Sequence, residues 1–152
     1  MFRKIIKKVP VLNKGIEDLG VRVFRLDESN MNPVSHRPID VVQENLFEEY
    51  ENIKKDRTSE DLLIQVMLML GITLDTNIER KIISGMEVFD VAKGYLLSCF
   101  DPNVTDKVIT EIAKNRPVYA IFRDSCFVSD SVADNFEQIF KTYSPDTICK
   151  VI

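Results

Sequence analysis

The feature that most constrains the fold is a change of apolar period that repeats along residues 95–152. Short continuous apolar runs, typical of buried strands, alternate with segments in which apolar residues recur every three or four positions, as on one helix face. The strands are predicted at 95–100, 118–122 and 147–152, and the helices at 104–115 and 131–143. The sequence therefore predicts two successive βαβ units with right-handed crossovers, parallel strands and helices packed on the sheet.

Three strand-like runs lead into these units, at 78–83, 86–91 and 95–100. Ser84-Gly85 joins the first two, and Lys93-Gly94 precedes the third. Glycine at the second turn position supplies the positive φ that a tight hairpin needs. We therefore predict an α/β fold with a mixed sheet, in which an antiparallel meander is followed by a parallel βαβαβ arrangement.

The first half of the chain gives less regular signals. The segment "MFRKIIKKVP" is interpreted as a short helix stopped by Pro10, within a basic helical tail or linker that covers residues 1–20. A strand is predicted at 21–26, and a helix from Asp40 to Ile53. Residues 21–152 are expected to form a single α/β C-terminal domain.

A second helix of this half has clear start and stop signals. Thr58 and Asp61 have the spacing of a capping box, in which each residue's side chain accepts a hydrogen bond from the other's backbone N–H. The following run "LLIQVMLML" is apolar nearly all round, which is typical of a deeply buried helix. Gly71 is expected to end this helix.

Length and composition place the chain among globular proteins of about one domain. It has 152 residues, of which 45% are hydrophobic and 29% charged. No apolar run approaches the roughly 18–20 residues that a membrane span needs, and the N-terminus lacks the apolar core of a signal peptide. The three cysteines, Cys99, Cys126 and Cys149, form no CxxC pair, so they are predicted to be reduced thiols in a cytoplasmic protein without a membrane association.

Charge is distributed unevenly along the chain. Residues 1–25 contain seven Lys and Arg against two acids, and the remaining residues contain thirteen against twenty-two. An acidic body is a poor general binder of nucleic acid, because duplex affinity depends on neutralising phosphates. The basic positions near the N-terminus recur at helical spacing and are candidate phosphate contacts or, alternatively, a solvated helix face: Arg3, Lys4, Lys7 and Lys8.

The loop after the strand at 118–122 is the main candidate site. In open α/β sheets, ligands bind beyond the carboxyl ends of the strands, where helix N-termini offer unpaired amides. The candidate interaction residues there are Arg123, Asp124, Ser125, Ser129 and Asp130. Asp124 with Asp130 or Asp134 could hold a hard metal ion through carboxylate oxygens, which would suit a free-standing metal-dependent enzyme.

A structural interpretation of the same loop competes with the functional one. The loop has no glycines to wrap a phosphate and no histidine to act as a base. Ser131 and Asp134 also have the spacing of a capping box, which would account for both residues without a ligand. The only histidine, His36, lies in a polar loop without a cysteine or carboxylate cluster, so neither a ligand nor a base is assigned to it. The sequence contains no GxGxxG, GxxxxGK[ST], GxSxG or HExxH motif, and no catalytic, cofactor-binding or metal-binding residue is predicted.

Three stretches carry a resemblance to a known family: "VRVFRLDESNM" (21–31), "ENIKKDRTSEDLLIQVMLMLGI" (51–72) and "NRPVYAIFRDSCFVSDSVADNFEQIFKTYSPDTICKVI" (115–152). In this order and with these gaps, they resemble the C-terminal region of the modification (Mod) subunit of type III restriction–modification systems. Those subunits are DNA methyltransferases that methylate adenine at N6 with S-adenosylmethionine.

The resemblance implies a module without the parent's chemistry. A Mod subunit binds S-adenosylmethionine through an FxGxG-type motif and acts on adenine through a DPPY-type motif. Neither motif occurs here, and Asp101-Pro102-Asn103 does not match the second. The expectation is a C-terminal piece of a larger enzyme, without a cofactor of its own. It would serve in Mod dimerisation or in docking to the restriction (Res) subunit, or alternatively as an accessory DNA-contacting module with Arg22 or Arg25 against phosphates.

Overall fold

The computed structural model describes residues 2–7, 21–32 and 52–152, with side chains from residue 22 onward. The chain divides into two compact units, residues 1–75 and 76–152, and each is described by itself. This division lies far from the boundary expected between residues 20 and 21. The separate tail at 1–20 stays a prediction, because residues 8–20 lie outside the described part.

The first unit contains a two-stranded antiparallel sheet. Strand β1 (Phe2–Lys7) pairs with β2 (Val21–Leu26), and the register joins Phe2 to Leu26 and Lys7 to Val21. The strand predicted at 21–26 is thus confirmed. The helix predicted for "MFRKIIKKVP" is wrong for Phe2–Lys7, because these residues find a strand partner distant in sequence, and such pairing overrides a short helical spacing. The helix expected between Asp40 and Ile53 lies mostly outside the described residues.

Helix α1 (Ser59–Met69) begins and ends as the sequence predicts. The Thr58 hydroxyl accepts a hydrogen bond from the Asp61 N–H at 3.3 Å, and the Asp61 carboxylate accepts one from the Thr58 N–H at 2.9 Å. At the other end, Gly71 has a φ of +71°, and the Gly71 and Ile72 N–H groups donate to the Leu68 and Met67 carbonyls, as in a Schellman motif. The predicted capping box and glycine stop are confirmed.

The N-terminal end of α1 is also held by a loop of the same unit. Met31 and Ile53 form an isolated antiparallel bridge, and the Asn30 side-chain amide donates to the Asp61 carbonyl at 2.9 Å. Buried Asn30 therefore fixes the loop against the first turn of the helix. The inner side of α1 is apolar and buried, with Leu62, Leu63, Ile64, Val66 and Met67.

The second unit is built on a five-stranded mixed sheet in the order β3-β4-β5-β6-β7. Its strands are β3 (Ile78–Ile83), β4 (Met86–Val91), β5 (Leu96–Cys99), β6 (Tyr119–Phe122) and β7 (Ile148–Val151). The β3–β4 and β4–β5 pairs are antiparallel, and the β5–β6 and β6–β7 pairs are parallel. This confirms the predicted α/β class and the predicted meander followed by parallel strands.

Two helices pack together on this sheet. Helix α2 (Asp106–Lys114) connects β5 to β6, and helix α3 (Asp130–Tyr143) connects β6 to β7. Alternate residues of the strands share one apolar core with the inner faces of both helices, as two βαβ units require. This core contains Val88, Leu97, Cys99, Ala120 and Phe122 from the sheet, Val108, Ile109, Ile112 and Ala113 from α2, and Val132, Phe136 and Phe140 from α3.

None of the helices within the described ranges is long and apolar enough to cross a bilayer.

Candidate functional site

The backbone of the loop after β6 is anchored on two sides. The Asp124 N–H donates to the Ile152 carbonyl at 2.9 Å, which ties the loop to the end of β7. The Val104 N–H donates to the Cys126 carbonyl at 2.7 Å, and the Val128 N–H donates to the Val104 carbonyl at 3.1 Å. The loop is therefore anchored to the sheet's carboxyl edge, because these three hydrogen bonds use its backbone polar groups internally.

Apolar side chains hold the loop from below. Asp124–Cys126 form one turn of 3₁₀ helix, and this turn directs the Cys126 side chain into the core. The Phe127 ring stacks on the Phe122 ring with centroids 6.1 Å apart, and Phe136 meets Phe122 edge-on at 5.1 Å. Each aromatic pair adds about 0.5–1.5 kcal/mol beyond the area it buries. The loop thus packs against the aromatic rings of Phe122, Phe127 and Phe136.

The acidic and hydroxyl side chains of the candidate loop point away from these aromatic rings. Asp124, Ser125, Ser129 and Asp130 are exposed, and Arg123 is half-buried. The Ser129 and Ser131 hydroxyls lie 2.9 Å apart and form a hydrogen bond. The structure therefore brings the sequence-predicted residues to one exposed edge, with a rigid backbone beneath them.

The predicted capping box at Ser131 and Asp134 is wrong. Helix α3 begins at Asp130, and its N-cap residue is Ser129, which makes no side-chain capping bond. The Val132 N–H instead donates to the Ser129 carbonyl at 3.0 Å. The loop is anchored at Val104, and helix α3 begins two residues before the position that the spacing of Ser131 and Asp134 predicts. Ser131 consequently lies inside the first turn, where its hydroxyl meets Ser129.

The thiols near the loop are poor nucleophiles. Burial raises the pKa of Cys126 to about 12 and that of Cys99 to about 11, and the neighbouring Cys99 adds to the rise at Cys126. Burial likewise raises the pKa of the half-buried Cys149 to about 11. Because the thiolate is the reactive form, all three cysteines are protonated and inert at neutral pH. All three are free thiols, as the sequence predicted.

The aspartates that could hold a metal ion do not assemble into a larger cluster. Across residues 2–7, 21–32 and 52–152, no group of three or more His, Cys, Asp or Glu side chains converges as a metal site would require. His36, to which neither a ligand nor a base role was assigned, lies outside the described residues.

The Asp101-Pro102-Asn103 segment has a structural role in the second unit. The Asp101 carboxylate accepts a hydrogen bond from the Glu87 N–H at 2.7 Å, and Asn103 has a φ of +64° in the turn that leads to Val104. The segment closes the sheet end of β4 and redirects the chain toward α2. Its sequence does not match a DPPY-type motif.

The candidate phosphate contacts are distributed along the β1–β2 pair. Arg3, Lys4 and Lys7 lie in β1, and position 3 is opposite Arg25 in the register. Lys8 lies outside the described residues. The single helix face that was expected to unite these four positions is wrong for the three described ones. The two strands together contain five basic residues and no acidic one, which is a signal that the sequence offered but that a helical interpretation concealed.

Sequence reasoning also missed a buried carboxylate in the meander. Asp90 is buried on β4, where it accepts hydrogen bonds from the Lys81 ammonium of β3 and from the Gly94 N–H of the following turn. Asp90 raises the pKa of Lys81 by hydrogen bonding to it. The carboxylate ties β3, β4 and the turn between β4 and β5 together, and the signal for it in the sequence was an aspartate between the apolar residues Phe89 and Val91.

No protein-family model matches the sequence, and no curated protein matches it at a significant level.

Proposed function

We propose that the chain is the C-terminal module of a type III Mod subunit and that its own role is subunit assembly, either Mod dimerisation or docking to the Res subunit. The parent reaction would be S-adenosylmethionine-dependent N6-methylation of adenine in DNA. The observation that carries the assembly role is the loop at Arg123–Asp130, where exposed polar side chains stand on an anchored backbone. A rigid surface of this kind suits recognition of a protein, because little ordering entropy is lost on binding.

The segments that resemble Mod subunits coincide with complete structural elements. The stretch at 21–31 contains β2, the stretch at 51–72 contains α1 with both of its caps, and the stretch at 115–152 contains β6, α3 and β7. Such agreement is consistent with stretches that each cover whole elements of this fold.

The reactive groups of the second unit favour assembly over catalysis. Its thiols are protonated at neutral pH, and the Asp101 carboxylate is bound to backbone. Because the sequence has neither an FxGxG-type nor a DPPY-type motif, the purified chain is expected to bind no S-adenosylmethionine and to transfer no methyl group to DNA. Saturable cofactor binding at micromolar concentration, measured by calorimetry, would contradict this part of the proposal.

Two measurements test the proposed role. The genomic DNA upstream of this sequence should encode in-frame FxGxG-type and DPPY-type motifs. The molar mass of the chain should rise with its concentration, or on addition of a purified type III Res subunit. A chain that remains monomeric and also fails to bind the Res subunit would refute the assembly role.

A second candidate function is contact with a DNA backbone. Its support is the β1–β2 pair, whose five basic and no acidic residues contrast with the acidic remainder of the chain. A two-stranded antiparallel ribbon has the width to enter a major groove, and basic side chains supply the phosphate contacts. Salt-dependent binding to duplex DNA would favour this function.

A further inference from the structure

Strand β7 has an outer edge with available hydrogen-bonding positions. It is the last strand of the five-stranded sheet, and within the described residues it pairs with β6 alone. The Ile148 N–H donates to the Val118 carbonyl of β6 at 2.9 Å, and the Ile152 N–H bonds to β6 in the same way at 3.0 Å. The even-numbered positions of β7 therefore bond to β6, and the N–H and C=O groups of Cys149 and Val151 point outward as a template for a further strand.

This edge lacks the features that usually protect an edge strand. Strand β7 contains no proline, its register with β6 contains no bulge, and its one charged residue is Lys150. Ile148 is 46% exposed and Val151 is 42% exposed, and the alternation of a strand places them on opposite faces. An unprotected edge with exposed apolar side chains on both faces favours pairing with another strand.

The β7 edge is continuous with the loop proposed for assembly and with helix α3. The Asp124 N–H donates to the Ile152 carbonyl at 2.9 Å, so the loop begins where β7 ends. Burial has the largest effect on the pKa of the Cys149 thiol, and Glu137 adds to the rise, so Glu137 of α3 lies on the β7 side. Glu137 pairs with Lys141 at 3.2 Å, and α3 therefore presents both signs of charge beside the edge.

We propose that two copies of this chain pair antiparallel through the outer edges of β7, with the two-fold axis at Cys149. This inference rests on the proposed assembly role, and it names a second copy as the partner and β7 as the surface. The two sheets then form one continuous sheet. The two α3 helices lie antiparallel on the same face of that sheet, which extends the contact beyond the strands.

The proposed register forms up to four backbone hydrogen bonds. The two Cys149 residues exchange two of them, and each Val151 N–H donates one to the Thr147 carbonyl of the other copy. The Thr147 N–H is already used, because it donates to the Ser144 carbonyl at 3.1 Å. Its carbonyl receives only the Cys149 thiol, at 3.9 Å, among the described residues, and a second lone pair remains for the other copy.

Charge selects this register over the neighbouring one. With the axis at Cys149, each Lys150 lies opposite Ile148 of the other copy, at a non-hydrogen-bonded position where its alkyl stem covers the exposed isoleucine. Asp146 is exposed in the turn two residues before Ile148, within reach of the Lys150 ammonium of the other copy. An axis at Lys150 would instead set two lysines directly opposite each other, which is destabilising.

The first test measures molar mass by sedimentation over a range of concentrations for wild type, Val151→Pro and Val151→Ala. Both substitutions remove the branched side chain, and only proline removes the outward N–H, so their difference isolates the backbone bonds. Two hydrogen bonds are lost in the symmetric dimer of Val151→Pro. Its dimer dissociation constant should therefore be about tenfold or more above that of Val151→Ala. Equal constants for the two variants would contradict the pairing.

A second test determines the register and keeps the proposal decidable if Val151→Pro fails to fold. Ile148→Cys and Lys150→Cys are made separately in a Cys149→Ser background, which removes the thiol at the axis. In the proposed dimer, position 148 faces position 150 of the other copy with Cα atoms about 4.5 Å apart, within the range of about 4.4–6.8 Å that a disulfide needs. Identical positions are diagonal neighbours about 7–8 Å apart, which is too far.

Mild oxidation of a mixture of the two cysteine variants should therefore give a covalent dimer on a non-reducing gel, and oxidation of either variant alone should not. Cys99 and Cys126 are buried in the core and should not react. Linking of a single variant to the level of the mixture, or an unlinked mixture, would overturn the proposed register.

The outcomes separate this inference from the assembly role. A wild-type dimer with the same dissociation constant in Val151→Pro and Val151→Ala refutes the β7 edge and leaves assembly through another surface. A wild-type chain that is monomeric at all concentrations but binds the Res subunit also refutes the β7 edge and leaves docking as the role. A chain that neither dimerises nor binds the Res subunit refutes both.

Discussion

The side chains of Thr58, at the start of α1, and Ser131, at the start of α3, are expected to contribute unequally to stability. Its hydroxyl accepts the Asp61 N–H, while the Asp61 carboxylate accepts both the Thr58 N–H and the Thr58 hydroxyl. Thr58→Ala removes an N-cap acceptor and should lower the free energy of unfolding by about 0.5–2 kcal/mol. Ser131→Ala is the matched control. Ser131 is exposed and caps nothing, so its loss should stay within about 0.5 kcal/mol in urea titrations. Equal losses in both variants would contradict this difference.

The buried thiols make stability sensitive to alkaline pH. In the folded chain, burial raises the pKa of Cys99 to about 11, of Cys126 to about 12 and of Cys149 to about 11, above the ordinary value of 9.0. Between pH 9 and these values, the unfolded chain has lost thiol protons that the folded chain retains. The free energy of unfolding should therefore be undiminished by these groups below pH 9 and should fall as the pH rises toward 11–12.

The contribution of one thiol can be isolated at Cys149, which is only half-buried. In Cys149→Ser, the decline in unfolding free energy between pH 9 and 11 should be shallower than in wild type, because one titrating group is gone. Urea titrations at several pH values measure both slopes, and the other ionising groups of the chain are common to the two proteins. Identical slopes would contradict the role assigned to burial.

At the scale of elements, the β3–β4 hairpin depends on a turn that only certain residues tolerate. Ser84 and Gly85 connect the strands with φ values of +50° and +90°, both in the left-handed region. No atom lies within 4 Å of where a side chain at Gly85 would begin, so the cost of a substitution comes from the backbone alone. Gly85→Ala should destabilise the chain by about 1–2 kcal/mol. Ser84→Asn, which suits a positive φ, should be neutral or stabilising in the same thermal melts. A neutral Gly85→Ala would show that the turn rearranges freely.

The elements that sequence alone predicted are those with local signals. The turn glycines, the Thr58 capping box and the helical stripe that includes Val132, Phe136 and Phe140 all act within a few residues, and each was confirmed. The failures depend on distant partners. Phe2–Lys7 becomes a strand through pairing with Val21–Leu26, and α3 starts at Asp130 because Val104 anchors the loop before it. A loop lies between β6 and α3 as expected, but the predicted helix cap is absent, and the role of the loop as a site stays a prediction.

The whole molecule combines a basic N-terminal segment with an acidic remainder, and this asymmetry bears on DNA. Arg3 and Arg25 are opposite each other in the backbone register of β1 and β2, and the two strands contain five basic residues and no acidic one. Arg25 is exposed, and its charge helps to lower the pKa of Asp27, after the stronger effects of the Glu28 N–H and Arg57. If a phosphate backbone binds to these strands, binding would release counterions and weaken as salt rises.

Duplex binding by fluorescence anisotropy at several salt concentrations tests this second function. If the ribbon contacts phosphates, Arg25→Ala should weaken binding to all sequences alike and make the dependence of log affinity on log salt shallower by about one. Lys150→Ala removes an exposed basic residue from β7 and should leave both the affinity and the slope unchanged. The double variant Arg25→Ala with Lys150→Ala should then match Arg25→Ala alone. Equal effects of the two single substitutions would mean that DNA affinity depends only on the net charge of the chain. The β1–β2 pair would then not be the contact surface.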